Sequence, residues 1–389
     1  MKFKIKTSAL KEVVSSVSRV VDPRPSTPSL QGIYLKTRED LLEVVGSDLD
    51  IVLKARTGVK TEVEGETLVN ARVLSEIVRK LPTGEVTFSD IGTELKVETK
   101  KMEFKLRKLD EKTYPEALLE DNTNENTEEV EVSELFESIK KVGIASSPEG
   151  GRPVLTGVYF NNKNDATELV ATDSYRLATY SLSEIPIKDI GIISYRALSE
   201  TIRVFENSDD PIKINSNERE LYFYNEKTSA AVRKLEGNFP EYENLFPKET
   251  LFTIEVKKSE ILESLDRATV VAEGFIPVKI VLSDNETLNI TTVNKDIGGG
   301  NEEVSVKTLG VELGDISGFE MSFNPNYFMQ GIEVLDGETV YIRFSGNEKP
   351  VVIQGEVENY KYLLMPVRTC LLYTSPSPRD KRQSRMPSS

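Results

Sequence analysis

Arginine pairs that recur at one spacing are the strongest chemical signal in this sequence. Arg72 and Arg79 sit in Ala71-Arg-Val-Leu-Ser-Glu-Ile-Val-Arg-Lys-Leu81. Arg196 and Arg203 sit in Tyr195-Arg-Ala-Leu-Ser-Glu-Thr-Ile-Arg-Val-Phe205, which aligns with the first run without a gap. On a helical wheel at roughly 100° per residue, Arg72 and Arg79 fall about 140–160° from Leu74, opposite its apolar stripe, and Arg196 and Arg203 take the same angles from Leu198. Guanidinium groups spaced along an exposed helix face contact phosphates without reading bases. Arg19, opposite the Leu10 stripe, and Lys140, well off the Leu135 stripe, extend the outward pattern. A third copy of the run, Pro325 to Leu335, has Asn326 and Glu333 where the arginines stand, so its repeat is expected to contribute through Arg267 instead. Phosphate contacts alone are weak, with a non-specific Kd of roughly 10⁻⁴–10⁻⁶ M. The formal net charge of −15 weakens them further at long range. A chain that must stay on DNA by such contacts needs to enclose it.

Other candidate chemistry is thinner. Asp48-Leu-Asp50 offers paired carboxylates and Asp173 occupies the same place in the second copy, but nothing nearby supplies a complementary acid or nucleophile, so strand-end turns are expected. Gly298-Gly-Gly300 lacks the Gly-Lys-Ser/Thr that a phosphate loop requires and reads as a hairpin. The acidic stretch from Glu125 to Glu131 lacks the spacing of a calcium loop. With no histidine, catalysis by Ser-His-Asp or Cys-His and histidine metal sites are excluded. A single cysteine, Cys370, forms neither an intramolecular disulfide nor a thiolate cluster. No metal or cofactor is expected. The opening Met-Lys-Phe-Lys-Ile-Lys alternates as a strand does, not as a signal sequence, and no apolar run approaches the roughly 18 residues of a membrane span. A cytoplasmic protein with no membrane partner is expected.

The elements that must hold these arginines occur three times, about 125 residues apart, too long a period for a solenoid unit of roughly 20–50 residues. Each copy opens with a serine and an amphipathic run: Ser8 to Val21, Ser133 to Ile144, Ser259 to Val271. In the first, Leu10, Val13, Val14 and Val17 mark one face, and Ser8 is placed to cap the helix. Alternating strands lead to the second run, with stripes Leu74-Ile77-Val78-Leu81, Leu198-Ile202-Phe205 and Phe328-Ile332-Leu335. The fold class is therefore α+β: three repeated domains, each with two helices packed on antiparallel sheet. Boundaries fall at 1–121, 122–248 and 249–369, with a solvated junction at Glu120 to Glu128 and a short one at Leu245 to Glu249. Residues 370–389, rich in Ser and Pro, resemble translated sequencing-adapter read-through and are expected to be a non-native, disordered tail.

Three motifs carry a family resemblance: Ala171-Thr-Asp-Ser-Tyr-Arg-Leu-Ala178, Gly237-Asn-Phe-Pro-Glu-Tyr242 and Tyr362-Leu-Leu-Met-Pro-Val-Arg368. Through them the chain resembles the bacterial DNA polymerase III beta subunit family, the sliding clamps, from Met1 to about Thr369. The resemblance implies a ring of two chains with helices lining the hole. It implies a partner-peptide pocket between the second and third domains. The matching positions are Leu155, Thr172, Ser174, Tyr175, Arg176, Leu177, Pro240, Leu245, Leu363, Leu364, Met365, Pro366, Val367 and Arg368. Ser174-Tyr175 stand where the family often has Gly-His, so the pocket mouth departs there. Phe104 and Leu106 match one side of the ring contact, and Val270 and Val271 match the other. Arg24, in Pro23-Arg24-Pro25, matches a DNA-contacting loop position. Implied partners are duplex DNA, DNA polymerase III and other clamp-binding proteins, an ATP-driven clamp loader, and a second copy of the chain.

The reading is a non-enzymatic replication processivity factor. Two alternatives differ in what they expect. An enzyme working at the Asp48 or Asp173 turn expects a unique cleft. An acidic structural or adhesion protein of repeated β-rich domains expects no organised arginine face.

Overall fold

The computed structural model describes residues 1–119, 128–129, 132–148, 151–163, 166–183, 185, 187, 189–206, 208, 210–272, 276–294, 296–310 and 318–367. Six α-helices lie among them: α1 (Thr7–Ser18), α2 (Ala71–Lys80), α3 (Val132–Gly143), α4 (Tyr195–Phe205), α5 (Lys258–Ala272) and α6 (Pro325–Glu333). They pack as α1 on α2, α3 on α4, and α5 on α6, one pair per repeat. The chain forms two compact units, Met1–Glu241 with Asn359–Lys361, and Tyr242–Glu358 with Tyr362 onward. The first holds two repeats and the second holds one.

Helix boundaries follow local chemistry. Asn70 starts α2, its side-chain oxygen accepting the Val73 N–H at 3.1 Å, and Asn324 starts α6 by accepting from Asn326 and Tyr327. The α2 helix stops because Leu81 precedes Pro82, which drives it to extended backbone. Lys11 Nζ donates to the Leu81 carbonyl at 2.8 Å and Lys258 Nζ to the Glu333 carbonyl at 2.9 Å, so lysines satisfy the C-terminal ends of α2 and α6. One expectation fails. Ser8 lies inside α1, which begins a residue earlier with Lys6 in the cap position and no side-chain cap bond. The strand Lys2–Lys6 runs directly into the helix, and the Thr7 hydroxyl fixes the junction by exchanging hydrogen bonds with Gly84.

In the first unit a five-stranded sheet runs in the order Lys60–Val63, Lys2–Lys6, Glu85–Asp90, Glu94–Glu98, Glu103–Arg107. An eight-stranded sheet crosses from one repeat to the next. Its seam pairs Thr228–Val232 of repeat two with Ile51–Ala55 of repeat one, antiparallel, in the register Thr228↔Ala55 to Val232↔Ile51. Hydrogen bonds from Arg233 N to Asp50 O and from Arg56 N to Lys227 O extend the seam at both ends. A meander of Gly157–Lys163, Ala166–Thr172 and Arg176–Ser183, flanked by Gly191–Ser194, completes the unit. In the second unit, Phe252–Lys257 lies between Thr339–Phe344 and the last residues, Val306 to Leu309, of a long strand, Gly298–Leu309, whose first part pairs with Thr287–Asn294. The helices bury the predicted stripes on these sheets: Leu10, Val13, Val14, Val17, Leu74, Val78, Leu198, Ile202, Phe205, Phe328 and Ile332 are all buried. Ile77 is only half-buried, at the rim of the α2 stripe.

Candidate functional site

With the apolar stripes of α2 and α4 facing the sheet, Arg72, Arg79, Arg196 and Arg203 are left exposed, as the wheel requires. Arg19, just past the end of α1, Arg24 in the following loop, Lys140 on α3 and Arg267 on α5 are exposed too. Five of these eight cations are paired with carboxylates. Arg72 Nε donates to Glu76 Oε1 at 3.2 Å, one turn along its helix. Arg203 Nη1 donates to Glu200 Oε1 at 2.7 Å. Lys140 Nζ reaches Glu206 across the α3–α4 pair. Arg196 reaches back from repeat two to Asp48 of repeat one. Arg267 grips Glu302 with two bonds, Nε to Oε1 at 3.0 Å and Nη2 to Oε2 at 2.8 Å. That fork holds the Glu302 carboxyl below its usual range and raises Arg267. Arg19, Arg24 and Arg79 have no ion pair among the described residues.

The carboxylates Asp48 and Asp173 are built into twin turns. In repeat one, Asp48 Oδ1 accepts from Asp50 N and Ile51 N, while the Ser47 hydroxyl donates to Ile51 O and accepts from Leu49 N. In repeat two, Asp173 Oδ1 accepts from Tyr175 N and Arg176 N, while the Thr172 hydroxyl donates to Arg176 O and accepts from Ser174 N. Leu49 and Ser174 both take φ of 78° at the apex. The second oxygens are engaged as well, Asp48 with Arg196 and Asp173 with the buried Arg176 at 2.9 Å. Each carboxylate accepts three hydrogen bonds from its own turn and a neighbouring arginine, which fixes it as a structural acceptor.

The peptide-contact candidates divide between the units. In the first, Leu155, Thr172, Arg176 and Leu177 are buried, whereas Ser174, Tyr175 and Pro240 are exposed. Tyr175 is 65% exposed at the tip of its turn. Its position follows from the left-handed Ser174, which turns the next side chain outward. In the second unit, Leu363 and Leu364 are buried in strand Tyr360–Leu364, Leu245, Met365 and Val367 are exposed, and Pro366 is half-buried. Arg368 lies outside the described residues, as do 125–127 and 130–131 of the acidic stretch and the tail from 370 to 389.

Of the ring-contact candidates, Phe104 and Val270 are exposed and Val271 is half-buried. Leu106 is 4% exposed and sits inside its own sheet opposite Leu95.

Sequence reasoning missed the partners of the cations. Glu206 and Glu302 belong to no motif, and contacts over such separations leave no periodic trace. Asp48 had a signal, the Ser47/Thr172 turn shared by two repeats, but its bond to Arg196 did not. Among the described residues no helix is long and apolar enough to cross a membrane, and no cluster of His, Cys, Asp and Glu could hold a metal.

Three family models match in chain order: the DNA polymerase III beta subunit N-terminal domain over residues 1–119, its central domain over 129–241 and its C-terminal domain over 243–368. The chain is 28% identical over 385 residues to the beta sliding clamp of Streptomyces coelicolor, spanning 95% of this chain and 99% of that one. It is 29% identical over 386 residues to that of Bacillus subtilis, spanning 95% and 100%. The crystal structure of the Bacillus subtilis DNA polymerase sliding clamp superposes with a TM-score of 0.85 at 28% identity, covering 95% of this chain and 100% of that one.

Proposed function

The chain belongs to the DNA polymerase III beta subunit family, and from that premise we propose that it is a replication processivity factor, a clamp that surrounds duplex DNA and slides along it. It is not an enzyme. Its relatives are clamps, and the carboxylates that could have served a reaction are committed to turns. The alternative of an acidic structural or adhesion protein has no support from these relatives.

Enclosure by two chains is the reading that two open sheet edges support best. At the seam inside the first unit, Ile51–Gly58 of one repeat is covered by Thr228–Arg233 of the next. The repeat-one counterpart of Thr228–Arg233 is Glu103–Arg107, which among the described residues pairs only with Glu94–Glu98 and ends its sheet. The repeat-three counterpart of Ile51–Gly58 is the first part of Gly298–Leu309, which pairs with Thr287–Asn294 along one side and joins Phe252–Lys257 only from Val306 on. Unpaired strand edges are templates for another chain. Each chain thus carries one edge of each kind, and two chains joined head to tail satisfy all four. Phe104 on one edge, and Val270 and Val271 beside the other, supply apolar contact.

On this reading the three repeats are 1–121, 122–248 and 249–369. Arg19, Arg24, Arg72, Arg79, Lys140, Arg196, Arg203 and Arg267 contact phosphates. Tyr175 and Pro240 in the first unit, and Leu245 with Met365 to Val367 in the second, meet anchors of partner peptides from the polymerase. A closed ring needs a loader to open it, and the family's place is the cytoplasm. The test is the mass in solution followed by retention on circular and linear DNA. A dimer held on circles and lost from linear ends is expected. Equal retention on both, or a monomer, would sink the reading.

A further inference from the structure

Three of the paired cations share one arrangement. Arg196 and Asp48 are 148 residues apart in sequence, Lys140 and Glu206 are 66 apart, and Arg267 and Glu302 are 35 apart. None is a neighbour pair within one helix. In each, the carboxylate is more buried than the cation: side-chain exposures are 5% against 59% for Asp48 and Arg196, 34% against 54% for Glu206 and Lys140, and 28% against 55% for Glu302 and Arg267. The negative group lies beneath and the positive group projects over it. The three sites fall on the repeat-one–repeat-two seam, on the α3–α4 pair and on repeat three.

We propose that Asp48, Glu206 and Glu302 are built-in counter-charges to the DNA-facing cations, setting a grip weak enough for a closed clamp to slide. This rests on the clamp reading above. A phosphate approaching Arg196 meets a cation whose charge is largely balanced by a carboxylate already in contact. The attraction is closer to that of a dipole than of a free charge, and it falls faster with distance. A balanced cation also neutralises less of a phosphate's charge, so fewer of the counter-ions condensed on the DNA are released and the salt dependence is shallower than a cation count implies. Arg267 shows the geometry most fully: two of its donors are occupied by Glu302, and Glu263 lies 3.8 Å from a third. Arg19, Arg24 and Arg79, with no such partner among the described residues, make the full-strength contacts.

The test neutralises the carboxylates and keeps their shape: Asp48→Asn, Glu206→Gln and Glu302→Gln, combined. Asparagine at 48 retains the oxygen that accepts from Asp50 N and Ile51 N. Binding to a short linear duplex is measured by fluorescence anisotropy over a salt series, and sliding on long DNA by single-molecule tracking. Affinity should rise by about fivefold for each carboxylate removed, the salt slope should steepen by up to about 0.9 per freed cation, and diffusion along DNA should slow. Unchanged or weaker binding at unchanged slope overturns the proposal, because carboxylates that merely orient the cations would lose binding when removed. A thermal melt checks folding, and should the triple variant unfold, the Glu206→Gln/Glu302→Gln pair carries the same expectation at two sites. Retention of the unaltered chain on circular DNA is scored in parallel. Failure there strikes the clamp reading, whereas retention with unchanged variant binding strikes the counter-charges alone.

Discussion

Tyr114 shows a single side chain working against its surroundings. Its ring stacks on Tyr34 at 5.5 Å within a cluster of Leu30, Val45, Val52 and Leu68. Its hydroxyl is buried and has no hydrogen-bond partner among the described residues. Burial pushes the phenol well above the usual tyrosine range, while Tyr34, raised first by burial, also donates to Glu66. A buried unsatisfied hydroxyl is destabilising by about 1 kcal/mol or more, so Tyr114→Phe should raise stability by about that amount at neutral pH. The pH sign follows from the raised pKa. The neutral phenol's contribution is fully present below the unfolded value near pH 10 and is lost as pH climbs above it, because the unfolded chain ionises first. The phenylalanine variant should therefore lose less stability than the parent between neutral pH and about pH 11. Urea midpoints at the two pH values decide it. An equal loss in both proteins would place the alkaline sensitivity elsewhere, with Tyr34 the first candidate.

Glycines let helices approach aromatic rings, and at this scale local propensity gives the wrong answer. Gly331 lies inside α6, where alanine would be favoured by about 1 kcal/mol. A Cβ there would lie 2.4 Å from the Tyr362 ring, which is fully buried and whose hydroxyl donates to the Tyr327 carbonyl at 2.9 Å. Gly143, the last residue of α3, admits Tyr195 of α4 in the same way, with a Cβ at 1.9 Å. Gly331→Ala should thus destabilise the second unit by about 1–3 kcal/mol against its helix propensity, read as a lower melting temperature. A stabilised variant would mean that the ring moves aside freely. The same contrast separates what was legible in the sequence from what was not. All six helices were visible because their stripes repeat at i, i+4 and i+7, with i+3 added in α1 and α2, and their ends shifted by only a few residues. The arginine face followed as the complement of the stripe. The Tyr362–Gly331 contact, the seam from Thr228 to Ile51 and the bond from Arg196 to Asp48 were not visible. Each joins residues far apart in sequence by shape or charge, with no period to betray it. The Ser8 cap was misplaced because a strand running straight into α1 left the anchoring to Thr7.

At the scale of the whole molecule, a body of net charge −15 can hold a polyanion only if association does not depend on attraction alone. On the proposed clamp reading that places the burden on closure, and closure on the two open edges. Phe104 and Leu106 lie on the same edge strand but play opposite parts. Phe104 is 40% exposed and adds little to the core of its own chain, whereas Leu106 is buried against the sheet. Phe104→Asp should consequently leave the melting temperature of the single chain within a few degrees while shifting the mass in solution from dimer to monomer, since an unpaired charge is placed where apolar contact is needed. Retention on circular DNA should fall to the level seen on linear DNA, even though every cation proposed to contact phosphate is intact. Leu106→Asp should instead unfold the five-stranded sheet, by about 3 kcal/mol or more for a charge forced into the core. Sedimentation and a thermal melt on both variants separate assembly from folding. A Phe104→Asp chain that remained a dimer, or stayed on circles as a monomer, would show that the edge Glu103–Arg107 does not close the ring and that something other than topology keeps this protein on DNA.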